Sequence, residues 1–128
     1  MKLQASESVE LKAEYTPAVK KEVVAFANSK GSVVYIGVAD DGEVIGVGHA
    51  DFVMDQLSSA IRDGIRPDVS MFTDIELLKI EDKPVIKLTI HQGSKRLYYL
   101  SEKGLRPSGV YLRTAPLRRP LLKTPSVL

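Results

Sequence analysis

One stretch constrains the fold of this chain more than any other. Residues 31–42 read GSVVYIGVADDG, in which the apolar run Val33–Val38 is bounded by a glycine and by Asp40-Asp41-Gly42. A run of this length is far too short to span a membrane. Its β-branched and aromatic residues suit a strand, and apolar side chains on both faces suit a central one. Asp41-Gly42 is a hairpin-turn signal, with Glu43–Val47 as the expected return strand. The stretch poses a question. Asp40 and Asp41 at the end of a buried strand could serve a catalytic site, or they could simply turn the chain. Local sequence favours the turn, because Asp-Gly is common there and a strand-end Asp is often solvated.

The flanking periodicities supply the other elements. Val9 and Leu11 alternate with Glu10 and Lys12, as in a first strand. Thr16-Pro17 suits a helix start, with Thr16 as N-cap and Pro17 in the first turn. Val19, Val23, Phe26 and Ala27 then form an inner stripe, and Lys20, Lys21 and Glu22 take the wet side. Gly31 suits a left-handed cap after that helix. A second helix is expected after Asp51 as its cap, with Met54, Leu57 and Ile61 facing inward and Gly64 and Pro67 closing it. Met71–Ile80 and Val85–Ile90 read as a strand pair around the turn 81–84. In the second of these, Ile86, Leu88 and Ile90 face one way and Val85, Lys87 and Thr89 the other. Short strands follow at Leu97–Leu100 and Val110–Arg113. The order predicts an α+β fold, an α/β sandwich with a mixed, largely antiparallel sheet and two main helices. Residues 116–128, with Pro116, Pro120 and Pro125, suit a basic tail or linker.

Composition excludes several functions. The chain has 128 residues and no cysteine, so disulfides, thiol catalysis and cysteine-bound metals are ruled out. No signal-peptide pattern precedes residue 8, and a cytoplasmic location with no membrane association is the default expectation. There is no GxxxxGK[ST] loop and no GxSxG; Gly46-Val47-Gly48 lacks the third glycine of a dinucleotide loop. His49 and His91 stand apart and are expected at the surface or a strand end. No metal or other cofactor is expected from these patterns.

Charge is segregated along the chain. Residues 1–82 hold eight Lys/Arg and fifteen Asp/Glu, whereas residues 83–128 hold ten Lys/Arg and the single acid Glu102. A basic C-terminal third points to an anionic partner such as nucleic acid, provided that folding gathers the charges on one face. Lys95, Arg96, Tyr98, Arg106, Tyr111 and Arg113 interleave cations with aromatics, as in single-strand binding surfaces. Tyr98 and Tyr99 point to opposite faces if extended, so at most one of them reaches a ligand. Arg118, Arg119 and Lys12 complete the set of expected phosphate contacts.

The segments ASESVELK (5–12), VVAFANSKGSVVYIGVADDGEVIGV (23–47), SKRLYYL (94–100) and GVYLRTA (109–115) together resemble the Schlafen-type AlbA-like domain. The resemblance covers about residues 5–115 and is most specific in the FAN…KG…YIGV.DDG.V.GV core. It implies an α/β sandwich, nucleic-acid binding and association with transcriptional regulators and helicase-related proteins. DNA is favoured over RNA. For some relatives it also implies a ribonuclease that uses three carboxylates to hold Mg²⁺ or Mn²⁺. Carried over, two of these fall on Glu10 and Asp40, and the third falls on Ala5. Glu7 lies two residues away, about 6–7 Å along a strand. Ser32 replaces the second glycine of the KGG turn, and Arg113-Thr114-Ala115-Pro116 lacks the usual glycine loop. The expected function is therefore a non-catalytic nucleic-acid-binding module. The alternatives are a divergent endoribonuclease using Glu10 and Asp40 with Glu7, and a homodimerising interaction module with an exposed edge strand.

Overall fold

A computed structural model describes residue 6, residues 8–94 and 97–103, and the backbone of residues 111–113 and 118–120. The main sheet has four strands in the order β1-β2-β5-β4. These are β1 (Val9–Lys12), β2 (Gly31–Ile36), β4 (Thr73–Ile80) and β5 (Lys83–His91). β1 and β2 run parallel, joined through helix α1 (Val19–Ala27), because two parallel strands need a crossover. β5 pairs antiparallel with both of its neighbours. Helix α2 (Ala50–Gly64) follows β2, and β3 (Ile65–Arg66) pairs with β6 (Tyr99–Leu100) beside the main sheet. β7 (Tyr111–Arg113) pairs with β8 (Arg118–Pro120), and β7 runs alongside α1. The result is an α+β fold whose sheet is mixed and mostly antiparallel.

The alternation read in β5 divides the core. Val34, Ile36, Ile86, Leu88 and Ile90 face the helices and pack with Val23, Phe26, Leu57 and Ile61. Leu11, Val38, Val44 and Val85 make a smaller cluster, with Val9, Tyr35 and Ile80 against it. Lys87 and Thr89 are half-buried, as expected of residues on the thinner side.

Several boundaries differ from expectation. The regular part of α1 starts at Val19, after i→i+3 bonds from Thr16, Pro17 and Ala18 carbonyls, so Thr16-Pro17 forms an entry turn. α2 begins at Ala50, with left-handed His49 before it; Asp51 lies in the first turn, where its charge suits the helix dipole. Gly64 does end α2, and Ile65 beyond it is buried. Residues 70–72 form a 3-10 turn, so β4 starts at Thr73. The β4–β5 turn is only Glu81-Asp82, both at positive φ, and Pro84 lies inside β5.

The return strand after Asp41-Gly42 is reduced to one bridge, Val38 with Val44. The cause is Gly37. At φ 106° it bulges, so both its N–H and that of Val38 reach the Lys12 carbonyl, at 2.7 and 3.1 Å. Its own carbonyl accepts from Ile45 and Gly46. A side chain at Gly37 would meet the Val47 methyl at 2.8 Å. Val47 is tied instead to the Pro84 carbonyl at 2.8 Å. No helix among the described residues is long and apolar enough to cross a membrane.

Candidate nucleic-acid interface

The basic C-terminal third contributes one defined element. Within the β7–β8 hairpin, Arg113 is the register partner of Arg118, and Arg119 is the partner of Leu112. Tyr111 is opposite Pro120. The backbone register thus places two arginines at directly paired positions of this ladder. The tail expected from residue 116 thus contains a paired strand at Arg118–Pro120. Lys95, Arg96, Arg106 and Glu7 lie outside the described residues, as does Ala5.

Two residues expected to touch nucleic acid have other work. Tyr98 is fully buried, so it cannot stack on a base. Asn28, the last residue of the FAN motif, donates through Nδ2 to the Tyr98 carbonyl at 3.0 Å. Its Oδ1 accepts from the Tyr98 N–H at 2.6 Å. The ring lies over Gly93, where a Cβ would approach the Tyr98 hydroxyl and ring to 2.3–2.4 Å. Tyr99, the alternate residue, is half-buried in β6.

Lys12 is the second. Its Nζ lies 3.1 Å from Glu22 Oε2 and 3.5 Å from Glu10 Oε2. The Glu22 side chain has no solvent exposure, and Glu10 retains only 13 %. Glu22 therefore does not take the wet face of α1 that its charge suggests. Its spacing agrees with the structure: it follows Val19 by three residues and precedes Phe26 by four, within the inner stripe. That spacing is the signal in the sequence. A buried carboxylate needs a compensating charge, and Lys12 of the adjacent strand provides it.

The candidate carboxylates therefore differ in setting. Glu10 lies on β1, aligned with Val34, in contact with the Lys12 ammonium. Asp40 is exposed in the turn that follows the Gly37 bulge. The bulge brings the exit of β2 to the end of β1, so both lie at one corner of the sheet. Asp41 serves the turn itself, accepting from the Glu43 N–H at 2.9 Å. Among the described residues no group of three His, Asp or Glu side chains could hold a metal ion. Position 5 is alanine, and the Lys12 ammonium lies against Glu10.

The remaining surface is acidic near α2, where Asp51, Asp55 and Asp63 are exposed. An open groove between α1 and α2 is lined by Tyr15, Lys20, Asp55 and Asp63. Burial raises the Tyr15 hydroxyl above its ordinary pKa, and Lys20 opposes this in part. Lys20 reaches across to Glu102 at 2.9 Å, and its hydrogen bond and charge hold that carboxyl below the usual range. Asp68 is lowered by the backbone and side chain of Ser70. His91 sits exposed at the end of β5, 3.3 Å from Asp74.

Comparison with known proteins adds a family and a fold. The family described as Schlafen, AlbA_2 matches residues 5–122. A solved structure of the DIP2311 protein from Corynebacterium diphtheriae superposes with a TM-score of 0.67 at 19 % identity. That match covers 89 % of this chain and 22 % of the other, so this chain spans about a fifth of that protein. The N-terminal domain of an ATP-dependent DNA helicase RecG-related protein from Nitrosomonas europaea gives a TM-score of 0.60, also at 19 % identity. Here 84 % of this chain and 76 % of the other are covered. No curated protein matches.

Proposed function

Because this chain belongs to the Schlafen AlbA_2 family, we propose that it is a nucleic-acid-binding module without catalytic activity of its own. The observation that carries this reading is the pairing of Arg113 with Arg118, with Arg119 next in the ladder. Two arginines at paired positions can supply two charge-assisted contacts to a phosphate. Such contacts hold a duplex in register and read little sequence, so weak sequence preference follows. DNA is favoured over RNA in this proposal, since the Nitrosomonas neighbour is described as DNA-helicase-related. A place in a transcriptional regulator is part of the same proposal. The Lys12 ammonium against Glu10 supports the non-catalytic reading, because it supplies positive charge where a hydrolytic centre would require a metal.

The test is affinity for a short duplex measured against salt by fluorescence anisotropy. Log affinity falls linearly with log salt, and each phosphate that is no longer neutralised reduces the slope by about 0.9. Arg113→Ala and Arg118→Ala each lower the slope by about one such step and weaken binding to all sequences alike. Binding that is absent, or that does not respond to salt, refutes the proposal. Single-stranded RNA of equal length in the same titration decides the nucleic-acid preference.

A further inference from the structure

We propose that the pocket between the start of α1 and the turn after β6 holds the terminal phosphate monoester of a nucleic-acid strand, with Lys20, Lys21 and Lys103 as its cations. This deepens the nucleic-acid-binding reading and rests on it, and none of the three lysines is among the contacts expected above. Lys20 and Lys21 lie in the first turn of α1, and Lys103 lies in the turn 101–103. Together with Glu102, Pro17 and Leu100 they line a cavity of about 200 Å³. That volume accommodates a phosphate group and several waters, at about 30 Å³ of liquid per water.

Backbone contacts bring the cations together. The Ser101 N–H donates to the Gly64 carbonyl at 2.8 Å and its hydroxyl to the Asp63 carbonyl at 3.1 Å, which ties the turn to the end of α2. The Lys103 N–H closes the turn on the Leu100 carbonyl at 3.1 Å. Gly64 also makes room for Lys20, since a Cβ there would meet the Lys20 stem at 2.7 Å. Across that gap Lys20 reaches Glu102 at 2.9 Å. Lys103 and Lys21 add their charges to the hydrogen bond and charge of Lys20 in lowering the Glu102 carboxyl, so all three ammonium groups act at one place.

Charge selects the occupant. Three ammonium groups against one carboxylate leave the pocket a formal surplus of two positive charges. Each phosphodiester of a strand carries one negative charge, whereas a phosphate monoester carries about 1.5–2 at pH 7. The monoester is the better match, and lysine suits it as a point charge with rotatable donors. The surroundings also favour a strand end. On its other side Lys20 borders the groove between α1 and α2, where Asp55 and Asp63 repel a strand that continues past the pocket. In the opposite direction Lys21 shares its helix face with Val24 and Ala25, three and four residues on. Both are fully buried although they lie off the inner stripe, and β7 runs alongside α1. The nine residues of α1 span about 14 Å, the length of about four phosphates of one strand at about 3.4 Å each. A strand that ends in the pocket thus reaches the Arg113–Arg118 pair within its first few nucleotides.

The test compares one DNA duplex bearing hydroxyl ends, 5′-phosphates or 3′-phosphates, labelled at an internal base and titrated by anisotropy at fixed salt. Phosphate at one kind of end is expected to tighten binding about tenfold, the size of a hydrogen bond to a charged group. Lys103 is exposed, and Lys103→Ala is expected to bring that ratio close to one without shifting the thermal midpoint. Lys79→Ala removes an exposed cation of β4 outside the pocket and is expected to leave the ratio unchanged. Equal affinity for all three duplexes overturns the proposal and leaves salt-dependent binding standing. A preference that survives Lys103→Ala, or that Lys79→Ala removes equally, also overturns it. Absence of binding by every duplex refutes the binding reading itself, and this proposal with it.

Discussion

The Asn28 carboxamide pairs with both backbone polar groups of Tyr98, at 3.0 and 2.6 Å, across seventy residues of sequence. It acts as one more strand residue would, fixing the loop after β5 onto the end of α1. The same junction is tied by the Gly93 N–H to the Ala27 carbonyl. Asn28→Ala would strip partners from two buried backbone groups, each costing about 1–3 kcal/mol. A loss of about 2–4 kcal/mol is expected in urea unfolding. Asn28→Asp is expected to be almost as damaging, since a carboxylate cannot donate to the Tyr98 carbonyl. A change below about 0.5 kcal/mol in either variant would show that the pair is dispensable.

The Lys12–Glu22 pair makes a sharper prediction, because one member is wholly buried. Lys12→Met removes the ammonium 3.1 Å from the Glu22 carboxylate and is expected to cost about 1–3 kcal/mol. The double variant Lys12→Met, Glu22→Leu removes both charges and is expected to recover most of that loss. A double-mutant cycle by chemical denaturation measures the coupling. Simple additivity of the two single variants would show that the contact is not energetic.

Glu102 gives a pH dependence whose sign is determined by Lys20. The hydrogen bond and charge of Lys20 lower the carboxyl, so the folded state binds that proton less tightly than the unfolded state. The stability it contributes is present above the unfolded-state value and is lost as pH falls through the lowered folded-state value. Because the carboxyl is exposed, the effect on stability is small, and an NMR titration is the suitable measurement. The Glu102 midpoint is expected below that of an ordinary glutamate and is expected to rise in Lys20→Met. An unmoved midpoint would contradict the bridge.

Asp40 is exposed in a turn, and Asp40→Ala is expected to change stability by no more than about 0.5 kcal/mol. Structured RNA incubated with Mn²⁺ and the chain is expected to survive as in buffer, with Glu10→Gln and Asp40→Ala giving the same result. Cleavage by the unmodified chain that either substitution abolishes would restore the nuclease reading.

What the sequence determined by itself was local. A central strand read at Val33–Val38 (observed at Gly31–Ile36), the period of two in β5, the apolar stripes of α1 and α2 and the Asp41-Gly42 turn follow from side-chain spacing, which neighbours in the chain enforce. The FAN and YIGV segments also identified the family. Only the tertiary structure decided which charges are free to meet a partner. Glu22 looks solvated until β1 brings Lys12 beside it, and Tyr98 looks free to stack until Asn28 and Gly93 enclose it. Arg113 and Arg118 become partners only through the pairing of β7 with β8. The physical reason is the same in each case. Burial and charge compensation depend on contacts between elements far apart in sequence, and periodicity within one element carries no record of its partner.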